Sequence, residues 1–203
     1  MGGTSRAAAS GRRQPIVEAA IEMTARDGWA AVTMTRLAEQ VGVSRQTVYN
    51  EIGSKNALAD AMLAHELHRF LTAISGAFDR HAGNLVEAIH DAVRDVLDLA
   101  RGNLLVRAIA SATHGADTEL VPLLTTQAET LLVEVKAMLA ARVETYRTGL
   151  TAEQVEVLID LMTRAVLSHV VQPTGTPAAT ADGLAWLASR VLEEPVRKPL
   201  RFG

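Results

Sequence analysis

The run from Thr33 to Lys55 constrains this chain more than any other part of it. Thr33, Ser44 and Ser54 each stand immediately before a segment able to form a helix, and Gly42 and Gly53 interrupt those segments. A hydroxyl side chain at such a position accepts a hydrogen bond from an otherwise orphaned N–H of the first turn. A glycine just beyond a helix takes the left-handed conformation that ends it. The order cap, glycine, cap, glycine, cap therefore predicts short helices over about Met34–Gln40 and Arg45–Glu51, and a long one starting at Lys55. Leu37, Ala38, Val41, Val43 and Val48 are spaced to bury between the two short helices, with Ala38 small enough to let them approach. Arg45, Gln46, Thr47, Tyr49 and Asn50 are left outward or at the leading end of the second.

That surface suits DNA. The N-terminal residues of a recognition helix meet base edges in the major groove. Arginine pairs with guanine, glutamine or asparagine with adenine, and hydroxyls suit phosphate oxygens. The charge distribution agrees: residues 1–55 hold seven Lys/Arg against five Asp/Glu, and the remainder thirteen against eighteen, on a chain of net charge −3. A basic end on an acidic body suggests one DNA-facing module joined to a body that does not face DNA.

The rest of the chain reads as all-α. Apolar residues make up 48% of it but aromatics only 3%, and Ala and Leu are strong helix formers. Residues 1–13 form a polar arm with three arginines and no acid, expected to be a flexible tail or, alternatively, a flexible arm that contacts phosphate or enters a minor groove. A first helix is expected over about Gln14–Asp27, with Pro15 in its first turn, Ile16, Ala19, Ala20 and Met23 on one face, and Gly28 at its exit. Further helices are expected over 55–80, 84–100, 104–113 (after Gly102), 119–147 (stopped by Gly149), 152–171 and 178–194, about nine in all. Thr151 and Gln154 form a capping-box signature for the helix at 152.

Several functions are disfavoured. The chain has no cysteine, which excludes disulfides, thiol nucleophiles and cysteine-ligated zinc. No run approaches the roughly 18 consecutive apolar residues of a membrane span, and the start lacks the apolar core of a secretory signal, so a cytoplasmic protein with no membrane partner is expected. His65-Glu66-Leu67-His68 places its histidines three apart, where the zinc-protease pattern needs four. No metal, cofactor, catalytic residue or enzymatic activity is expected.

Residues from about 14 to 56 resemble the TetR-family DNA-binding domain. The resemblance rests on Met34, Thr35, Leu37, Ala38, Gly42, Val43, Ser44, Thr47, Val48 and Tyr49 at the family's spacing, then Gly53, Ser54 and Lys55, with a Gly28-Trp29 helix exit before them. Two positions depart from the family: Ile52 stands where an aromatic is common, and Glu51 places an acid where a neutral or basic residue is common. The resemblance implies an N-terminal three-helix helix-turn-helix domain over 14–55 and a larger helical ligand-binding and dimerisation domain over 56–203. It implies that Tyr49 and Lys55 contact phosphates, that Arg45, Gln46 and Thr47 face base edges or nearby phosphates, and that Thr33 and Thr35 stand at the phosphate-facing start of the preceding helix; Asn50 completes the set.

For the body, the resemblance implies a homodimer. The helix at 152–171 has apolar residues on more than one face and must bury nearly all of it. Leu158, Leu161, Met162 and Val166, with Trp186, Leu187 and Val191 of the last helix, are the expected dimer contacts. The implied effector pocket would be lined by Leu67, Phe70, Ile89, Val93, Leu105, Ile109, Leu124, Gln127 and Leu131. With Gln127 its sole polar candidate, a small hydrophobic effector is expected. The function so implied is a repressor released by its effector from a palindromic double-stranded operator; an activator of the same fold, or a helical ligand-binding scaffold with a vestigial helix-turn-helix, are the alternatives.

Overall fold

In the computed structural model, residues 4–107 and 120–193 are described, with side chains over 12–107 and 131–193. Every regular element among them is helical. They are α1 (Thr4–Asp27), a 3-10 turn (Trp29–Ala31), α2 (Met34–Val41), α3 (Arg45–Ile52), α4 (Lys55–Arg80), α5 (Leu85–Gly102), α6 (Leu120–Val143), α7 (Ala152–Val171) and α8 (Pro177–Glu193). The helix expected over 104–113 is described only as far as residue 107.

The chain divides into two compact units. Unit 1 comprises Met1–Arg69 and Asn103–Ala128, and unit 2 comprises Phe70–Gly102 and Glu129–Gly203. The long helix α4 contributes its first half to unit 1 and its second to unit 2.

Unit 1 is built on α1. Ile16, Ala19, Ala20 and Met23 are all buried, at the helical spacing read from the sequence. The helix begins at Thr4, inside the segment expected as an arm, so Pro15 lies within it rather than in its first turn. Ala7, Ala8 and Ala9 are the best helix formers available, and they offset the single hydrogen-bond rung that an interior proline removes. Against α1 pack Trp29, Leu37, Ala38, Val48, Ile52, Leu58 and Met62 in one cluster that also takes in Leu105. Ile52 fills its core position without an aromatic ring. Leu58 and Met62 are the deepest residues of α4 in this unit.

Glu66 and Asn103, both buried, join α4 to the helical turn at 104–107. The Asn103 amide donates to Glu66 Oε2, while Asn103 Oδ1 accepts from the Val106 N–H at 2.9 Å. Arg69 adds contacts of 3.1 and 3.2 Å to the Glu66 carboxylate. Glu66 is thus held in a hydrogen-bond network, and among the described residues no group of three His, Asp or Glu side chains could hold a metal ion.

In unit 2, α5 lies against α8, where Ala181, Ala185 and Ala188 are buried and their small side chains allow close approach. Leu85, Val93, Val96 and Leu97 of α5 are buried. Gly102 does not separate helices but is the last residue of α5; the break falls at Asn103. The helix expected to run to 147 ends at Val143. Beyond that end Tyr146 is held in place: its hydroxyl donates to the His81 carbonyl at 3.0 Å, with the Phe78 carbonyl 3.3 Å away as the alternative acceptor, and its ring meets Phe78 edge-on. The Thr151–Gln154 capping box is formed in both directions at the start of α7.

A carboxylate–histidine network ties this unit together. Asp91 accepts from His81 Nε2 at 2.9 Å and bonds His90 Nδ1 at 3.1 Å, and His90 Nε2 reaches Asp182 of α8 at 3.1 Å. The His81 hydrogen bond, with help from His90 and Arg94, outweighs burial and holds the Asp91 carboxyl down at about 2.

Candidate nucleic-acid interface

The helix-turn-helix forms as its punctuation dictates. Thr33 Oγ1 accepts from the Arg36 N–H at 3.2 Å, Ser44 Oγ from the Thr47 N–H at 3.1 Å, and Ser54 Oγ from the Ala57 N–H at 3.1 Å. Gly42 closes α2 in the left-handed region at φ 73°, ψ 34°, and Gly53 closes α3 at φ 92°. A side chain at either would be strained by the backbone alone.

With Val48 and Ile52 turned into the core, α3 presents one outward row. Arg45, Gln46 and Asn50 are exposed, Tyr49 is 39% exposed, and Thr47 is half-buried beneath its bond to Ser44. The row is ordered by pairs one turn apart. The Arg45 guanidinium lies 5.4 Å from the centre of the Tyr49 ring, with Nη2 3.4 Å from its hydroxyl. Gln46 Nε2 donates to Asn50 Oδ1 at 2.9 Å. Such exposed pairs contribute only a few tenths of a kcal/mol, so they hold the side chains upright yet yield readily to a better partner.

The flanks are fixed too. Lys55 Nζ stands 4.8 Å over the ring of the buried Trp29, a cation–π contact that fixes the stem of the first residue of α4. Arg36 is committed to structure, bonding the Ala31 carbonyl at 2.9 Å and Asp27 at 2.6 Å. The Asp27 carboxyl is held below the usual carboxylate range by Arg26 and then Arg36. Thr33 and Thr35 are exposed at the start of α2. The eight expected DNA-facing residues therefore all lie on unit 1, at the leading ends of α2, α3 and α4 or along the outer row of α3. Arg13, one of the three arginines of the acid-free arm, donates its Nη1 N–H to the Glu51 carbonyl at the end of α3 at 3.0 Å, a contact that nothing in the local sequence specifies.

The expected pocket residues divide between the units. Leu105 belongs to the core of unit 1, where Leu67 is half-buried. Phe70, Ile89 and Val93 pack in the clusters of unit 2, where Leu131 is half-buried. Ile109 lies outside the described residues, as do the side chains of Leu124 and Gln127. Unit 2 buries one hydroxyl, Thr163 Oγ1, with no hydrogen-bond partner among the described residues.

Of the expected dimer contacts, Leu161 and Trp186 are 61% and 63% exposed, and Leu187 is exposed as well. Leu158, Met162 and Val191 are half-buried. Val166 instead packs inward against both clusters of its own unit, because it shares the α7 face of Val155, Ile159 and Val170. Leu167 and Val171, one turn apart and both exposed, join the apolar outer surface of α7 and were missed because they flank inward-facing Val166 and Val170 in the sequence.

Known proteins match this arrangement. Residues 16–62 fit the family model described as bacterial regulatory proteins, tetR family, and residues 84–190 fit the model of the bacterial tetracycline repressor C-terminal domain. The HTH-type transcriptional regulator AlkX of Mycobacterium tuberculosis is 29% identical over 176 residues, 87% of this chain and 81% of its own length. The crystal structure of the TetR-family repressor AlkX from a Dietzia species, implicated in biodegradation of n-alkanes, superposes with a TM-score of 0.68 at 26% identity, covering 88% of this chain and 96% of that one. The regulator FadR of Bacillus subtilis, solved with stearoyl-CoA, shares the fold at a TM-score of 0.60 and 15% identity, covering 86% and 96%. Among the described residues no helix is long and apolar enough to cross a membrane. With both family models matched in order along a chain whose capped α2 and α3 present a row of DNA-competent side chains, the protein belongs to the TetR family of transcriptional regulators.

Proposed function

We propose that this regulator is a cytoplasmic, homodimeric repressor that holds a palindromic operator and leaves it when a small, largely apolar effector binds. The observation that carries the DNA part is the outer row of α3: Arg45, Gln46, Tyr49 and Asn50 stand exposed on a helix whose other face is locked by Val48 and Ile52. Arg45 and Gln46 at its leading end are the base-reading residues, with Thr47 and Asn50 beside them. Tyr49, Lys55, Thr33 and Thr35 take phosphates.

Dimerisation is supported by Leu161, Trp186 and Leu187, large apolar side chains exposed on a single chain. Leu158, Met162 and Val191 would complete that interface. Two recognition helices so paired need half-sites separated by about 34–36 Å or a multiple of it. Ligand held among Phe70, Ile89, Val93 and Leu131 of unit 2 would shift α4, whose first residue adjoins α3, and favour a dimer that no longer fits the operator. The apolar character of the effector is supported by those side chains and by the n-alkane setting of the Dietzia repressor.

The test is binding of the purified protein to the DNA flanking its own coding region, at about 50 and 200 mM salt, followed by titration with medium- and long-chain alkanes and fatty acids. A repressor making six to ten phosphate contacts loses affinity about 10³–10⁵-fold across that range, and its effector releases the DNA. Salt-insensitive or absent binding there and to a randomised duplex pool supports the scaffold reading instead. Binding that an effector strengthens, with transcription raised, supports an activator.

A further inference from the structure

The first half of α1 carries charge that the helix-turn-helix does not use. Arg6, Arg12 and Arg13 precede the first acid of the chain, Glu18. Because α1 starts at Thr4, Arg12 and Arg13 stand on the same continuous helix as Ile16, Val17 and Ala20, which are buried in the core of unit 1. Their guanidiniums therefore project from an anchored helix. Both side chains are exposed. Arg13 is located by its Nη1, which bonds the Glu51 carbonyl at the trailing end of α3, and Arg12 precedes it on the same helix. That bond uses one of five N–H donors. Arg12 has no hydrogen bond or ion pair among the described residues.

An eight-residue helix is about 12 Å long, so the pair stands roughly one length of α3 away from Arg45 and Gln46 at its leading end. Base edges under α3 are beyond them. The backbone of the duplex is the ligand that suits two adjacent exposed guanidiniums, because planar, permanently charged forks match phosphate oxygens.

We propose that Arg12 and Arg13 bind backbone phosphates flanking the base pairs under α3, which extends each protomer's contact surface on the duplex beyond the helix-turn-helix. The inference rests on the DNA-binding reading above and adds two positions to it. Such contacts raise affinity on every sequence equally and change no base preference. The competing role for Arg13 is to neutralise the C-terminal end of α3. Arg12 has no part in that, and so it discriminates.

The experiment uses the full chain, a duplex recovered by selection from a randomised pool, and a scrambled duplex of equal length. Affinity is measured between about 50 and 200 mM salt for wild type, R12A, R13A, R12A/R13A and R12K/R13K. The slope of log affinity against log salt is expected to become shallower by about 0.9 for each phosphate that a protomer no longer neutralises. The change is expected to be the same on both duplexes, with base preference intact. R12K/R13K is expected to keep the wild-type slope, and R12A the wild-type thermal midpoint. A wild-type slope for R12A and for the double alanine variant overturns the inference and leaves Arg13 as a cap of α3, whatever R13A does to the thermal midpoint. Wild-type protein that shows no salt-dependent binding to either duplex overturns the DNA-binding reading itself, so the two failures are told apart.

Discussion

Both units are helical, but they solve different problems. In unit 1 the two helices that matter have eight residues each, well below the roughly 12–15 at which an isolated helix becomes even marginal in water. They exist because hydroxyl caps, left-handed glycines and one cluster of large side chains fix them from outside. In unit 2, α8, α5 and α7 have 17, 18 and 20 residues, and α5 meets α8 through alanines, while Leu161, Trp186 and Leu187 remain uncovered. A short helix held at every residue can place a side chain on a base edge. A long helix with an alanine seam has fewer fixed points per turn, which would suit the rearrangement around an effector proposed above. Precision in unit 1 comes from local punctuation.

The largest test of that contrast removes the same leucine isopropyl group from each unit. Leu37 is fully buried in unit 1, and Leu37→Ala is expected to cost about 2–5 kcal/mol, as core truncations do. Leu161→Ala is expected to cost little in a dilute monomer and progressively more as protein concentration rises, because in the proposed dimer its exposed side chain is covered by a second copy. Urea unfolding followed by circular dichroism over a hundredfold range of concentration separates the two. A concentration-independent Leu161→Ala would remove that residue from the interface.

Unit 2 has a fixed point of a different kind in Asp91. Its folded-state carboxyl titrates at about 2 against an ordinary 3.8. A depressed carboxylate contributes stability that is present above the unfolded value and is lost as pH falls through the folded one. Asp91→Asn is therefore expected to cost about 1–2 kcal/mol at neutral pH, and the gap from wild type is expected to narrow as pH drops from about 4 to 2. Urea midpoints at pH 7, 4 and 2.5 check this; a constant gap would mean that Asp91 acts by packing rather than by charge. The network was not legible in the sequence. His81 meets Asp91 only when the chain turns back from α4 into α5, and Asp182 reaches His90 only when α8 lies along α5; the sequence adjacency of His90 and Asp91 signals neither.

What the sequence made legible follows the same division. Thr33, Gly42, Ser44, Gly53 and Ser54 act on backbone groups within a few residues of themselves, so their roles could be read before any tertiary structure was known. The outer row of α3 followed from its buried row. By contrast, Gly102 looked like Gly42 in the sequence but ends α5 from inside, without a positive φ, and Pro15 looked like a helix start yet lies within α1. The direction of Val166 was set by the core it packs on. The glycines make a test comparable to Asp91→Asn in one arm and neutral or opposite in sign in the other. Gly42→Ala is expected to cost about 1–2 kcal/mol, because φ 73° strains any L-residue although nothing lies within 4 Å of the new Cβ. Gly102→Ala is expected to be neutral or to stabilise by up to about 1 kcal/mol. Equal losses in thermal unfolding would erase the distinction between the two glycines.

The smallest test concerns two caps of one chemical kind. Ser44 caps the eight-residue α3, and Thr151 caps the twenty-residue α7 through a reciprocal box with Gln154. Replacing either hydroxyl by alanine is expected to lower global stability by about 1 kcal/mol. The consequences for function should differ. Ser44 accepts from the Thr47 N–H and lies 2.8 Å from the Thr47 hydroxyl, so its loss frees the first turn of α3, the turn that carries Arg45 and Gln46. Ser44→Ala is therefore expected to weaken binding to a selected duplex by more than its stability loss explains, and to weaken discrimination against a scrambled one. Thr151→Ala frays a helix with sixteen further residues beyond its first turn, and is expected to leave both quantities unchanged at temperatures where the protein is folded. Measuring the two variants side by side, by thermal unfolding and by titration of both duplexes, asks whether punctuation in unit 1 serves recognition or only folding. If Ser44→Ala and Thr151→Ala shift stability and DNA affinity alike, caps are interchangeable supports, and the precision attributed to α3 resides in its buried row of Val48 and Ile52 alone.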